Sequence, residues 1–598
     1  MAESLSNHSY CTVGTGGITN SATTLPVSSA SGFPTSGTYR IVVDPGTSTE
    51  EIMAVTAGQG TTSWTVTRAA EATNNGAQTA FAHNAGAVVA QVLTVAGLLQ
   101  YMRTQAPLSA GLDLQVDVVR DYGAKFDGST DDTTAFTDAI SAVSTAGGGT
   151  ITCPAGVSIV QPFSITGDSI RIVGQGAGIT TLRRKTGSTG FQVIDINAAA
   201  VALEDLTIDG NSDGTNAACV ALTGTQVAVR RCEILNAVLY GINMCGNASL
   251  TGCDIVDCYI HANGGVGIFG SAAGYTADEL SIRGCRIQAN GGHGVLLGNG
   301  STAQVAHAVV ASNRVVGNGT ASAGGGGIWV GIGGAHIAIT GNEVISNAGD
   351  GIAVAGGTDV TITGNECAYG SGPTGDPAVS GIAVSDGGLR GTIAGNYCHH
   401  NTADGIVFNG QLAECSDWSC SGNLCINNSQ SPSTAGAYHG ITFFHGTGTA
   451  SAVRVAVAGN VCTDTQGTKT QGYGILVDSY AANVTITGNQ LDGNLTGALS
   501  NSATATTVFA VGNRGYNPQA WVSNSISLPG GTGSANKVTN DFPYQVFVTL
   551  NGAVGVHVIS AAGTDLQLTA DAGPVLLSPG DAIYFATTVP GNWNWYGM

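Results

Sequence analysis

The feature that most constrains this chain is a short unit, apolar-x-apolar-x-Gly-Asn-x-apolar, that recurs along its second half. It reads IAITGNEV around Asn342, VTITGNEC around Asn365, TIAGNYC around Asn396, CSGNLC around Asn423, VAVAGNVC around Asn460 and VTITGNQL around Asn489. Weaker copies place Cys232, Cys253, Cys285, Asn313 and Asn513 at the same point. Ten intervals between 232 and 513 give a mean period of about 28 residues, the mark of a solenoid with loops of variable length. A second marker, Gly-(Ile/Val)-x-apolar, falls between successive copies at Gly241, Gly294, Gly327, Gly351, Gly381, Gly405, Gly440 and Gly474, with an imperfect copy at Gly267. Each coil therefore carries at least two short strands.

Strand alternation assigns the faces. Two residues after the anchor the column reads Ile234, Ile255, Ile287, Val315, Val344, Cys367, Cys398, Cys425, Cys462, Leu491, and must point inward. Cysteine alternating with Ile, Val and Leu at one stacked position behaves as a small hydrophobe, so these four thiols are expected to be buried and reduced. The nearest approach to a thiol cluster, Cys415, Cys420 and Cys425, lacks zinc spacing. Asn at the anchor suits a left-handed turn, either as a ladder of stacked amides or as a plain surface turn. Helical periodicity is absent, which excludes helical repeat arrays.

The rest of the composition narrows the function. With 10% charged and 43% hydrophobic residues in 598, the chain should fold, yet it is too long for one compact core. The net charge is −20 and the longest basic run is Arg183-Arg184-Lys185, so neither nucleic acid nor an anionic membrane is an expected partner. No apolar run approaches about 20 residues and no export signal opens the chain, so membrane insertion is not expected. No Walker loop, GxSxG elbow, HExxH or GxGxxG in strand-helix context occurs, and neither cofactor nor metal is expected.

Residues 118–160 contain Asp121-Tyr122-Gly123-Ala124, Asp127-Gly128, Asp131-Asp132, the Gly147 to Gly149 run and Pro154-Ala155-Gly156. This stretch resembles the opening of the pectate-lyase-like β-helix superfamily, and IRIVGQGAGITTL at 170–182 resembles its next coil. The resemblance implies an all-β fold, a right-handed parallel β-helix solenoid, in a superfamily that includes polysaccharide lyases, glycosidases and phage tail spikes. Between about 130 and 146 an amphipathic pattern of Ala135, Phe136, Ala139, Ile140 and Val143 predicts a capping helix over the open end, with Asp131 and Asp132 in its first turn. Residues 18–92 are similar to small β modules of phage tail proteins. Residues 518–598, with YQVFVTLNGAVGVHVIS and LLSPGDAIYFATTVPGNWNWYGM, resemble the terminal β-sandwich of minor tail proteins from phages of actinobacteria. The expected organisation is an N-terminal tail-attachment-like β module (1–93), a helical neck (94–117), the β-helix (118–517) and a C-terminal β-sandwich (518–598).

Candidate chemistry rests on carboxylates of solvent-facing columns. Immediately after the anchor stand Arg286, Arg314, Glu343 and Glu366 on four successive coils. Coils about 4.8 Å apart would bring Glu343 and Glu366 near a retaining glycosidase separation, with the arginines holding an acidic sugar. The alternative is a surface charge ladder. Before the Gly-Ile marker the column reads His293, Gly326, Asp350, Ser380, Asp404, His439. Asp350 and Asp404, two coils apart, suit an inverting pair, and His293 is a candidate sugar contact; Asp-Gly at a corner is also ordinary turn chemistry.

These readings lead to an expected phage tail spike or minor tail protein in the virion, made in the host cytoplasm and acting outside the host cell. It would bind host-surface polysaccharide, with or without cleaving it as a glycoside hydrolase or lyase, and join other phage tail proteins through its N-terminal module. A homotrimer is expected, its number implied by the resemblance to tail spikes. Burial of a surface is suggested by the column two residues after each marker Gly, which includes Phe269, Leu296, Trp329, Val407 and Leu476. A free bacterial polysaccharide lyase or hydrolase, and a purely structural tail fibre, are the alternatives.

Overall fold

The computed structural model describes residues 9–71, 79–91, 114–516 and 531–597, apart from short connecting stretches within the last two ranges. The chain divides into two units, Met1–Leu114 and Gln115–Met598. Of the neck expected at 94–117, residues up to 113 lie outside the described residues, and Gln115–Asp117 is a strand parallel to Gly149–Thr152.

The first unit is a six-stranded antiparallel sheet in the order Tyr10–Thr12, Val88–Gln91, Tyr39–Val43, Glu51–Ala57, Ser63–Glu71, Thr24–Pro26. A Val13–Val27 bridge joins its two edge strands and closes the sheet into a small barrel. Trp64 packs edge to face against Phe33 and Tyr39 in its core. Glu51 is fully buried, and its carboxylate accepts from Arg68 Nε and Nη2, His83 and the backbone N–H groups of Ala69 and Phe81.

The second unit is dominated by a parallel solenoid of three sheets. The first runs thirteen strands deep, from Asp127–Asp131 to Val461–Thr463. The second runs thirteen deep, from Phe163–Ile165 to Gly497–Asn501, and the third ends at Val508–Val511. Helix Thr133–Thr145 buries the five residues expected of it, and Phe136 stacks on Phe163 of the first coil at 5.6 Å. The two aspartates lie just outside that helix. Asp131 Oδ1 accepts from the Thr133 N–H, whereas Asp132 accepts from the N–H groups of Lys125 and Phe126 and from Ser158 Oγ, tying the preceding loop to the coil.

The anchor asparagines form a buried ladder. Asn396 is representative: its Oδ1 accepts from Asn365 N and Nδ2, while its own Nδ2 donates to Asn423 Oδ1 at 2.9 Å and to the Ile362 carbonyl. The run continues without a break from Asn313 to Asn513. The left-handed residue of the turn is the one before the asparagine, such as Gly341 (φ 62°) or Gly395 (φ 63°), rather than the asparagine expected there. Freed from that strain, the amide points inward as a two-sided connector. At the marker, a Cβ on Gly351 would stand 2.6 Å from the Gly381 carbonyl oxygen, which is the oxygen that accepts from the Ile352 N–H.

The inward column is buried, with Ile234, Ile287, Val315, Cys367, Cys398, Cys425, Cys462 and Leu491 all at 0% exposure and the four thiols unbridged. One member needs correction. Glu233 pairs with Tyr259 and Tyr259 with Arg286, so the stacked residues are Cys232, Cys258 and Cys285, with Ile260 rather than Ile255 in the inward column. Cys253 and Ile255 belong to the third sheet, where Ile255 pairs with Ile282. The coil GCDIVDCYI holds two nearly identical Cys-x-apolar units either side of one bend, and spacing alone does not tell them apart.

The C-terminal part consists of two antiparallel sheets. Val538–Thr539, Ala582–Thr588, Val554–Ile559 and Asp565–Gln567 form one, and Val575–Leu577, Val546–Asn551 and Asn592–Gly597 the other. Val546, Val548, Val556, Leu577, Ile583 and Phe585 are buried together between them.

Candidate functional site

The outer face of the first sheet stacks Glu233, Tyr259, Arg286, Arg314, Glu343, Glu366 and Tyr397 in register, one per coil. Arg314 Nε lies 2.9 Å and 3.0 Å from the two carboxylate oxygens of Glu343, and both side chains are well exposed. Glu366 turns the other way, with Oε1 3.0 Å from His399 Nε2. The two glutamates are neighbours on adjacent strands, and each carboxylate already holds a cation or a histidine of its own. Arg286 lies over the Tyr259 ring, 4.8 Å from its centroid, and its Nε donates to Gln288 Oε1.

The column before the marker is a row of turn connectors. Asp350 accepts from the Ser380 N–H at 2.7 Å, and Asp404 accepts from the His439 N–H and from Thr442 Oγ1. His293 Nδ1 accepts from the Gly326 N–H and His439 Nδ1 from the Tyr473 N–H, so a neutral imidazole does the same work as a carboxylate. Burial pushes both histidines down to about 4. Asp404, expected on a solvent-facing column, is buried at 6% exposure. Burial pushes its carboxyl up to about 7, against the two donors that favour the charged form, and the field of Asp350 adds to the rise.

Sequence reasoning missed a cluster of histidine and tyrosine side chains on the first sheet. Beside Glu366, on the next strand, Tyr397 stacks on His399 at 4.1 Å. His399 Nδ1 is 2.9 Å from His400 Nδ1, and the His400 ring stacks on Tyr369 at 5.3 Å. Tyr369 is 49% and Tyr397 37% exposed, while His399 is buried. Tyr369 (φ 54°) and His400 (φ 53°) are both left-handed. Other coils put small or polar residues such as Ala262, Gly317, Ser346 and Asn427 at that bend, so a bulky ring there is a costly choice.

The electrostatics are graded. A carboxylate only accepts, so His399 Nε2 donates to Glu366 and the ring is held in one orientation. Burial, and then the neighbouring His399, lower His400, with Asp464 pulling the other way. Burial, followed by Glu366 and Tyr369, raises Tyr397 and keeps its hydroxyl protonated.

The column after each marker Gly is only partly outward. Leu296, Ala353, Ala383 and Thr442 are buried within the single chain, and Phe269, Trp329, Val407 and Leu476 are half-buried. Phe444, on the same sheet, is 40% exposed.

Residues 163–313 and 275–514, together more than half of the chain, match the family model described as right handed beta helix region, and the chain belongs to that family. Alginate lyase 7 of Azotobacter vinelandii is 39% identical over 111 residues, 16% of this chain and 13% of that one. Mannuronan C5-epimerase AlgE3 of the same organism is 36% identical over 110 residues, 16% of this chain and 6% of that one. The matches thus span a small part of the length of these relatives. Among solved structures, the Dettilon tailspike protein is 15% identical, with a TM-score of 0.46, covering 84% of this chain and 95% of that one. Among the described residues, no helix is long and apolar enough to cross a membrane.

Proposed function

We propose that this chain is a phage tail spike or minor tail protein that binds acidic host-surface polysaccharide on the outer face of its first sheet and cleaves it by a lyase reaction. The observation that carries the reading is the chain of contacts Glu366–His399–His400, flanked by the two exposed rings of Tyr369 and Tyr397. The match to relatives named for alginate and mannuronan, both polyuronates, supports an acidic sugar as substrate.

In this mechanism the neutral His400 holds its hydrogen on Nδ1, donated to His399 Nδ1, and offers Nε2 as the base. Nε2 takes the proton at C5, next to the uronate carboxylate. The electron pair left on carbon forms the C4=C5 double bond as the C4–O bond breaks, and the leaving oxygen takes a proton from Tyr397. The charge gained by the histidine pair is stabilised by Glu366. Two separately engaged carboxylates, Glu343 on Arg314 and Glu366 on His399, favour this route over hydrolysis by a free carboxylate pair.

The N-terminal barrel is assigned to attachment in the tail, on its sequence resemblance to tail modules. The assembly is assigned as a homotrimer, supported by the half-buried Phe269, Trp329, Val407 and Leu476 and the exposed Phe444 on the second sheet. The test is incubation of the purified chain with alginate and with host surface glycans. Unsaturated, ultraviolet-absorbing ends should appear, and His400→Ala and Tyr397→Phe should each reduce their rate by about a hundredfold or more while the thermal transition is kept. Reducing ends without unsaturation would replace the lyase reading with hydrolysis, and no product at all would leave a binding protein.

A further inference from the structure

The Glu366 constellation occurs twice. On the same sheet, five coils nearer the N-terminus, Glu233 pairs in register with Tyr259 and Leu235 with His261, as Glu366 does with Tyr397 and Ala368 with His399. The contacts repeat as well. Glu233 Oε1 is 3.1 Å from His261 Nε2, and Tyr259 stacks on His261 at 3.9 Å. What differs is the bend: Ala262 and Asn236 occupy the left-handed positions held by His400 and Tyr369 in the other copy. The N-terminal copy therefore has the oriented histidine and the stacked ring but lacks the second imidazole that would serve as base.

In its place it has a cation. Arg286 lies over the Tyr259 ring and, among the described residues, has no acidic partner. It also stands directly beside Arg314 on the next coil. Like charges placed opposite each other in a sheet repel, an arrangement out of keeping with a chain that has 19 basic residues against 39 acidic ones. Arg314 is neutralised by Glu343, whereas Arg286 is left facing solvent. An anion seated there would relieve the repulsion, and a stacked tyrosine beside a guanidinium suits a sugar ring that bears a carboxylate.

We infer that Glu233, Tyr259, His261 and Arg286 form a second, non-catalytic subsite that holds a uronate residue of a polysaccharide whose distal part lies in the Glu366 cluster. Five coils at about 4.8 Å separate the two copies by about 24 Å, a span that takes an oligosaccharide of several sugar residues to bridge. The inference deepens the proposed function and rests on the reading of this sheet as a glycan-binding face. It adds a length requirement, because a short oligomer reaches one copy only and a long one reaches both.

The experiment titrates the full chain with alginate oligomers of graded length. Wild type should bind long oligomers at least tenfold more tightly than short ones, and Tyr259→Ala/Arg286→Gln should abolish that difference while product release from short oligomers is unchanged. Arg286→Gln alone, a substitution at an exposed side chain, should lose about threefold for long oligomers. Equal loss for short and long oligomers, or no loss for either, would overturn the second subsite and leave the glycan-binding face intact. A wild-type chain that binds no alginate oligomer of any length would overturn both readings together.

Discussion

The N-terminal barrel and the repeating columns of the solenoid bury polar groups in opposite ways. The barrel encloses a unique ionic knot, with Glu51 held by Arg68 and His83, and His83 held in turn by Asp44. The solenoid encloses long runs of neutral amides. The difference follows from repetition. In a barrel each position occurs once, so a buried charge needs only one set of partners. In a stack of coils, whatever stands at a position faces its like about 4.8 Å away, and a carboxylate column would repel itself. An amide both donates and accepts, so it satisfies the copy above and the copy below alike. Where carboxylates do enter the solenoid corner, at Asp350 and Asp404, Ser380 stands on the coil between them.

The largest expected effect tests the ionic side of this contrast. Glu51→Gln leaves Arg68 buried without its counter-charge, and loss of one partner of a buried pair costs about 3–5 kcal/mol. Unfolding of the N-terminal module in urea should shift accordingly. Burial pushes Glu51 up, but hydrogen bonds from His83, Arg68 and two backbone N–H groups outweigh it and hold the carboxyl at about 2. Its contribution is present above its ordinary 4.5 and is lost as pH falls toward 2. His83 is lowered by burial, yet raised overall by Glu51 and Asp44, so its contribution is complete below its ordinary 6.5 and is lost as pH rises through the raised value. The barrel should be most stable between those limits, and a pH-independent midpoint would break the comparison.

The second effect tests the neutral side. Asn396→Asp converts a two-sided connector into an acceptor: it keeps the bonds from Asn365 but loses those to Asn423 Oδ1 and the Ile362 carbonyl, and it buries a charge. A cost of about 2–4 kcal/mol is expected from two unmade buried bonds and the desolvated carboxylate. The same substitution at Asn536, where Nδ2 donates to the nearby Thr532 carbonyl on an exposed turn, should change the thermal transition little. Equal effects at both positions would mean that the ladder carries no special load.

The Gly-Asn ladder was legible because identical residues recur at one point of every coil. A second ladder, Asn263–Asn290–Asn318–Asn347 and Asn401–Asn428–Gln471, is hidden in the sequence. Its members mostly stand five residues after the first anchor, but Gly370 interrupts the row and Gln471 sits beyond a long insertion. The glutamate column was legible as a column, and its partners were not. Tyr397, His399 and His400 each stand in a column filled by unlike residues on other coils, so repetition, the signal that exposed the fold, is silent there. The one pattern able to reveal them is a Glu at one anchor followed by Tyr-x-His at the next, which the chain shows at 233/259–261 and 366/397–399. Placing Cys253 in the column of Cys258 shifted the first of these copies out of register and hid it.

The smallest effect should change sign with pH. Asp404 connects two coils through acceptance alone, from the His439 N–H and Thr442 Oγ1, a task that needs no charge and that a neutral amide oxygen can perform. Its carboxyl is pushed up to about 7 from 3.8 by burial. A folded value above the unfolded one means that the contribution is complete below about 4 and is lost as pH rises through 7. At pH 8 the buried charge costs up to about 4 kcal/mol, the free-energy equivalent of a rise from 3.8 to about 7. Asp404→Asn removes that cost and adds a buried NH2 worth about 1–3 kcal/mol of lost hydrogen bonding. The variant should therefore melt higher than wild type at pH 8, by the equivalent of about 1 kcal/mol, and lower at pH 4.5, where the wild-type carboxyl is neutral and offers its own donor. Thermal unfolding at the two pH values decides the matter: a variant that melts lower than wild type at both, and by more at pH 8, would show that Asp404 is held by its charge, as Glu51 is in the barrel, and would remove the contrast between the two cores.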